Sequence, residues 1–278
     1  MVFKLGIIKC GNIGTSPTLE LLFDERADRE NIDCIVIGSG AKLNEENCVN
    51  ATNLMVQQKP DLIFFTSPNA ALPGPSKARE ILANSGIPSI IITDGPGAKA
   101  TEDCESKNIG YFVITNDSMI GARRPFLDPV EMAIFNSEIL GVLALTGVLR
   151  LIVNETEKVI SQILNGEKPE LPKIIVDKKN AIAAAGYSNP YAVNKALAAF
   201  EICKSVAKIN VEGCFKTKGR ENYLPIVGAA HEVMSTALNL AKQAREIEKY
   251  NDTVLREPHD KDGTLLTKRK FIEKTTKK

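Results

Sequence analysis

Five short apolar runs govern what this chain can fold into: Leu5 to Ile8, Ile32 to Ile37, Leu62 to Phe65, Ser89 to Ile92 and Tyr111 to Ile114. Between them lie polar, helix-compatible segments such as Asn44 to Gln58 and Ser76 to Ser85. Each run is close to continuous Ile, Val and Phe instead of alternating apolar with polar, which is the pattern of a strand buried on both faces. Strands of that kind, alternating with helices, assemble into a parallel sheet covered by helices on each side. The expectation for residues 1–125 is an α/β unit with a Rossmann-like parallel sheet and a ligand-binding edge.

Beyond Pro125 the pattern changes to long helices. Asp128 and Pro129 supply an N-cap and a first helical residue, and the stretch they open runs from Val130 to about Leu164 with an interruption near Gly147. A second helix is expected from Asn189, with Pro190 starting it, to Ile209; Ala196, Ala198, Ala199 and Ala207 keep it thin, and Ala181 to Ala185 precede it. Small residues let helices approach closely, so this segment suits a helix bundle or a subunit interface. A third helix is expected from Pro225 to about Tyr250. The end reads as a small β-hairpin, with arms at Thr253 to Glu257 and Thr264 to Thr267, followed by a basic tail carrying Lys268, Arg269, Lys270, Lys274, Lys277 and Lys278. Such a tail is either simply solvated or able to meet an anionic ligand. The expected division is thus 1–125, a helical and oligomerisation region at 126–250, and the hairpin and tail at 251–278.

Composition narrows the partners. A chain of 278 residues, 44% apolar and 25% charged, can bury a full core, and its formal net charge of +1 gives no field that would draw it onto nucleic acid or a membrane surface. The longest apolar stretch, Ile139 to Val153, is interrupted by Arg150 and falls short of the roughly 20 residues a membrane span needs, so it reads as a buried helix. The six cysteines form no C-x-x-C pair and only two histidines are present, so reduced thiols in a cytoplasm are expected; no charged leader precedes the first strand. Cys34 reads as core. Cys10 is the one thiol in a site loop, with no histidine near it in sequence to activate it.

Parallel sheets bind ligands at the carboxyl ends of their strands. After the five runs come Lys9-Cys10-Gly11-Asn12-Ile13-Gly14-Thr15-Ser16, then Gly38-Ser39-Gly40, then Thr66-Ser67-Pro68-Asn69 running on to Pro75, then Thr93-Asp94-Gly95-Pro96-Gly97, and finally Thr115 to Pro125. All five are rich in Gly, Pro, Ser, Thr, Asn or Asp, whereas opposite-edge loops such as Asn84 to Pro88 and Glu105 to Gly110 are shorter and plainer. That asymmetry marks a binding edge.

A nicotinamide dinucleotide site of the usual kind needs G-x-G-x-x-G and an acid at the end of the second strand. Here only Gly11 and Gly14 are present and the second strand ends in Gly38-Ser39-Gly40, which disfavours NAD; NADP is less strongly excluded, because Lys42 could tolerate a 2′-phosphate. Asp61 precedes the third strand, which argues against a receiver domain. Walker, H-E-x-x-H and G-x-S-x-G motifs and clusters with metal spacing are missing from the sequence, so phosphoryl transfer, metal hydrolysis and acyl transfer lack their parts. What remains fits hydride transfer between two bound organic molecules, where the protein supplies orientation and exclusion of water.

Five motifs carry a family resemblance: GNIGTSP, TSPNAALPGP, TDGPG, GARRPFLDP and GAAHE, with REPHDKDGTLL closing the chain. Together they resemble the coenzyme F-420-dependent methylenetetrahydromethanopterin dehydrogenases of methanogenic archaea, over essentially the whole length. The resemblance implies reversible hydride transfer between the methylene carbon of methylenetetrahydromethanopterin and C5 of the 8-hydroxy-5-deazaflavin in one-carbon metabolism. It also implies a dissociable deazaflavin co-substrate, no metal, no bound flavin, and a homo-oligomer, a hexamer built as a trimer of dimers. Two alternatives are an NADP-dependent dehydrogenase of a folate-like carrier and a non-catalytic ligand-binding subunit.

The expected deazaflavin site is Gly11, Asn12, Ile13, Gly14, Thr15 and Ser16 with Thr66, Ser67, Pro68 and Asn69; backbone N–H groups and the Thr15 and Ser16 hydroxyls would meet the phosphate tail. Asp94, Asp117, Arg123, Arg124 and Asp128 are candidates for orienting the pterin and anionic tails, although an Arg pair before a helix can equally be structural. His231 and Glu232 are candidates for supporting groups or for buried polar residues of the fold. No catalytic acid or base is assigned, because the pterin nitrogen stabilises the cation that hydride loss leaves.

Overall fold

The computed structural model describes residues 2–25, 27–121 and 123–278; Met1, Arg26 and Ala122 lie outside the described residues. Six strands form one parallel sheet: β1 (Phe3–Lys9), β2 (Ile32–Gly38), β3 (Leu62–Ser67), β4 (Ser89–Asp94), β5 (Gly110–Ile114) and β6 (Lys173–Val176), in the order β2-β1-β3-β4-β5-β6. β1 pairs with β2 on one side and with β3 on the other, so the strand order reverses there. The carboxyl ends of β1 and β3 therefore border the switch-point crevice where open α/β sheets bind ligands.

The helices are α1 (Leu19–Asp24), α2 (Glu45–Gln57), α3 (Pro73–Ser85), α4 (Thr101–Ser106), α5 (Pro129–Leu145), α6 (Val148–Leu164), α7 (Lys178–Ala185), α8 (Pro190–Val211) and α9 (Arg220–Tyr250). β3 shows why its run is continuously apolar. All six of its residues are buried: Leu62 and Phe64 join the core shared with α5, α6, α8 and α9, while Ile63 and Phe65 join the one shared with α2, α3 and α4. Burying side chains of this size contributes about 1.5–3 kcal/mol each.

Two elements depart from the expected layout, and the expected interruption near Gly147 is present. β6 lies within the helical half of the chain yet pairs with β5 from Tyr111↔Lys173 to Ile114↔Val176, so sheet and helices share one core. α9 starts at Arg220, ahead of Pro225, which sits inside the helix. The stretch from Val130 to Leu164 is two helices bent by 61° at Gly147, whose φ of 89° and close approach to the Ala181 carbonyl oxygen and the Ala185 backbone leave room for glycine alone. Among the described residues, no single helix is long and apolar enough to cross a membrane.

The alanines of α8 work inside the chain. Ala192, Ala196 and Ala199 are fully buried, as are Ala237, Ala241 and Ala244 of α9, and the two helices pack closely on these small faces. At the end of the chain, antiparallel bridges Arg256↔Lys268 and His259↔Leu265 close the hairpin, and β7 (Leu266–Thr267) pairs with β8 (Thr276–Lys277). The hairpin is pinned by His259, whose Nδ1 is 2.7 Å from Glu25 and whose Nε2 is 3.1 Å from Glu157; Arg29 reaches the same Glu157 oxygen at 2.7 Å. Two groups of the basic end are engaged within the fold: Arg269 donates to the Gly186 and Thr253 carbonyls, and Lys278 pairs with Glu257 at 2.7 Å.

Candidate active site at the carboxyl edge of the sheet

The loop leaving β1 is tied to its two neighbours by the backbone. Cys10 N donates to the Thr66 carbonyl at 3.0 Å and Gly11 N to the Gly40 carbonyl at 3.0 Å. Gly11 adopts a φ of 80°, and a Cβ there would lie 2.8 Å from both Leu43 and Pro68, so this position requires glycine for conformation and for space. Beside it opens a cleft of about 380 Å³ lined by Lys9, Gly11, Asn12, Ser16, Gly38 and Gly40. Lys9 Nζ meets Glu20 at 2.9 Å in its wall. Asn12 is exposed, as are Ala71, Leu72 and Pro73 beyond the partly exposed Asn69, whereas Ile13 is core.

The hydroxyls of this loop point inward. Thr15 is fully buried and its Oγ1 donates to Asp117 at 2.6 Å; Ser16 Oγ lies 3.1 Å from Thr66 Oγ1, and Thr66 in turn donates to the Ile8 carbonyl at 3.3 Å. Both hydroxyls, expected to face a phosphate, are thus engaged inside the fold, because the loop turns at once into a 3-10 segment over Ser16–Thr18 that tucks them beneath it. Ser67 and Asn69 likewise cap their own turn: the Asn69 amide donates to Ser67 Oγ at 3.3 Å and the Ala71 amide to Asn69 Oδ1 at 3.0 Å.

Two carboxyls lie at the ends of β4 and β5. Asp117 is fully buried; its Oδ1 accepts from Gly14 N at 2.6 Å, and its Oδ2 accepts from Thr15 N at 2.9 Å and from the Thr15 hydroxyl. Asp94 is 5% exposed and accepts from Gly95 N as the cap of the following turn. Burial, with the charge of Asp117 adding to it, pushes Asp94 up to about 8. Burial also raises Asp117, against the donors from Thr15 and Gly14. Among the described residues no lysine, arginine or histidine pairs with either carboxyl. These two groups, expected to touch substrate, are built into the frame under the edge.

The loop after β5 is anchored to the far helices. Arg123 donates to the Gly213 carbonyl at 3.2 and 3.1 Å, from a π-helical turn at Glu212–Lys216, and its guanidinium lies 4.2 Å from the centre of the Tyr223 ring. Arg123 is tied to the fold by these contacts, while its neighbour Arg124 is exposed. Asp128 caps α5, accepting from Glu131 N at 2.8 Å. His231 is buried between Phe126 and Phe135, with ring centres at 4.8 and 4.9 Å, and its Nδ1 lies 3.5 Å from Glu131. Burial lowers its pKa despite that carboxylate. Glu232 faces outward on the same helix.

Cys10 is buried against Cys48, whose hydrogen bond lowers the Cys10 thiol, and so presents no sulfur at the edge. Among the described residues no group of three or more His, Cys, Asp or Glu is placed to hold a metal ion. Lys9, the charged residue that closes β1, walls the cleft but is not among the residues expected from sequence. Asn210, one residue before the end of α8, also goes unmarked in sequence; its amide donates to the Met119 carbonyl at 2.7 Å. The edge as built offers an open, glycine-floored cleft on the β1–β2 side and a fixed, partly cationic loop on the β5 side.

The comparisons with known proteins agree along the whole chain. A family model described as methylene-5,6,7,8-tetrahydromethanopterin dehydrogenase matches residues 3–276. The chain is 52% identical over 274 residues to the coenzyme F-420-dependent methylenetetrahydromethanopterin dehydrogenase of Methanothermobacter marburgensis, covering 99% of each chain. It is 54% identical over 275 residues to the enzyme of that description from Methanococcus aeolicus, again covering 99% of each. Among solved structures it is similar to a coenzyme F-420-dependent methylene-tetrahydromethanopterin dehydrogenase in complex with methylene-tetrahydromethanopterin and coenzyme F-420, with a TM-score of 0.96 and 46% identity over 99% of this chain and 100% of that one.

Proposed function

The chain belongs to the methylene-5,6,7,8-tetrahydromethanopterin dehydrogenase family, and from that premise we propose that it transfers a hydride reversibly between methylenetetrahydromethanopterin and coenzyme F-420. The observation that carries this reading is its full-length likeness to a solved enzyme holding both reactants. The products are methenyltetrahydromethanopterin and the reduced deazaflavin, a step of one-carbon metabolism in methanogenesis.

The deazaflavin is assigned to the carboxyl edge around β1, where the cleft on the β1–β2 side opens beside Gly11, Asn12 and Ser16; Ile13, Gly14 and Thr15 continue that loop, and Thr66, Ser67, Pro68 and Asn69 follow β3 next to it. Within that set the contact groups are the exposed Asn12, the glycine backbone and Asn69, with Thr15, Ser16 and Thr66 holding the wall from inside. A ligand with one phosphodiester tail suits a loop lacking the third glycine and the distant acid of a dinucleotide site. The pterin is assigned to the β4–β5 side, where Arg124 meets its anionic tail and Asp94, Asp117, Arg123, Asp128 and His231 shape the surrounding frame. Glu232 lies at its margin. The chemistry needs no acid or base from the chain, only two reactants held in line.

The chain works as a homo-oligomer in this reading, a hexamer assembled as a trimer of dimers. Support comes from the first turns of α5, where Val130, Met132 and Ile134 are 64%, 39% and 45% exposed. Its compartment is the cytoplasm, in keeping with six cysteines that form no disulfide. Anaerobic mixing of the purified protein with both reactants, read by deazaflavin absorbance, tests the function.

A further inference from the structure

Asp117 stands on one loop and holds another. It follows β5 on the segment that leads to Arg124 and α5, yet its two oxygens receive Gly14 N, Thr15 N and Thr15 Oγ1, all from the loop after β1. Its own loop is fixed from the opposite side, where Asn210 holds the Met119 carbonyl at 2.7 Å and Arg123 holds Gly213 at 3.1 Å. Gly14 approaches so closely that a Cβ would lie 2.8 Å from Asp117 Oδ1, and the carboxyl is wholly buried. A single side chain thus ties the two loops together.

Hydride transfer is sensitive to such a joint. Reacting carbons must approach to about 3–3.5 Å, and an error of about 1 Å costs on the order of 100-fold in rate. We propose that Asp117 is a positioning residue for hydride transfer, setting the loop that carries the deazaflavin in register with the loop that carries the pterin. The inference rests on the two-sided reading of the site given above. Only a carboxylate suits this joint, because three donors converge on two acceptor oxygens, and an amide in its place turns a donor toward the Gly14 or Thr15 N–H.

The test uses the full-length enzyme with Asp117→Asn and, separately, Thr15→Val, which removes the hydroxyl donor and leaves both backbone donors. For each, kcat, both KM values, folding by circular dichroism and the primary deuterium isotope effect from methylene-deuterated pterin are measured. The expected result for Asp117→Asn is a folded protein with kcat lower by about 10- to 100-fold, KM values within about threefold, and an isotope effect larger than wild type because the hydride step has become limiting. Thr15→Val moves the same way by about three- to tenfold, and it decides alone if Asp117→Asn does not fold. Wild-type kcat and isotope effect in the folded variants, or a kcat loss that only tracks the folded fraction, would overturn the proposal. Wild-type protein that fails to reduce the deazaflavin would instead remove the assigned function and leave the loop joint untouched.

Discussion

Thr15 donates to Asp117 twice, from its amide at 2.9 Å and its hydroxyl at 2.6 Å, across 102 residues of sequence. This pair joins the loop after the first strand of the sheet to the loop after the fifth. It also engages the hydroxyl of Thr15 within the fold, while Asn12 on the same loop stays exposed.

Gly14 is the tightest part of that joint. Replacing it by alanine places a Cβ 2.8 Å from Asp117 Oδ1, 2.9 Å from Ile139 and 3.2 Å from Leu143, all fully buried and held by their own neighbours. Gly14→Ala should destabilise by about 1–3 kcal/mol. Thermal unfolding would register this as a fall of about 2–4 °C per kcal/mol, and an unchanged melting temperature would show that the loop yields freely.

Asp94 makes stability depend on pH with a defined sign. Burial and the neighbouring Asp117 raise its folded value to about 8 from an ordinary 3.8, so the folded state holds a proton that the unfolded chain has released over that interval. Its contribution is full below pH 3.8 and is lost as the pH rises toward 8. Asp94→Asn should accordingly raise the melting temperature at pH 8 and change it little at pH 4. Equal effects at both pH values would contradict the assigned burial of charge.

His259 works through the same linkage at the other end of the molecule. Burial alone would lower its pKa, but Glu157 and Glu25 on either side raise it above the ordinary 6.5, with Arg29 also present against Glu157. The stability it supplies is complete below pH 6.5 and lost as the pH climbs through the raised folded value. His259→Gln should cost about 1–3 kcal/mol at pH 6 and distinctly less at pH 9, measured by denaturant unfolding.

How much of this was legible in sequence depends on how local each signal was. The first five strands announced themselves because each is a near-continuous apolar run, although β2, at the sheet edge, buries only Ile32. β6 did not: Lys173–Val176 is four residues long, with Ile175 half exposed at the sheet edge, and sits among helices. The binding edge was legible from the composition of its loops, but not the direction in which their side chains turn, since that is decided by partners such as Asp117 and Asn210 about 100 residues away. Local motifs carry residue types; long-range hydrogen bonds decide which of them reach the ligand.

The two neighbouring arginines separate those roles. Arg123→Ala removes hydrogen bonds to the Gly213 carbonyl and the contact with Tyr223, and should lower stability by about 1–3 kcal/mol. Arg124→Ala, at an exposed position, should leave the melting curve within about 0.5 kcal/mol of wild type and raise an apparent KM for a reactant. Steady-state kinetics beside thermal melts checks both; the reverse assignment would place Arg123 in the site and Arg124 in the fold.

Anaerobic assay of the purified chain with methylenetetrahydromethanopterin, offering oxidised coenzyme F-420 in one reaction and NADP in another, tests the hydride transfer itself. The account predicts loss of the deazaflavin absorbance at a catalytic rate and no reduction of NADP. Turnover with NADP but none with the deazaflavin, or binding of both reactants without turnover of either, would contradict it.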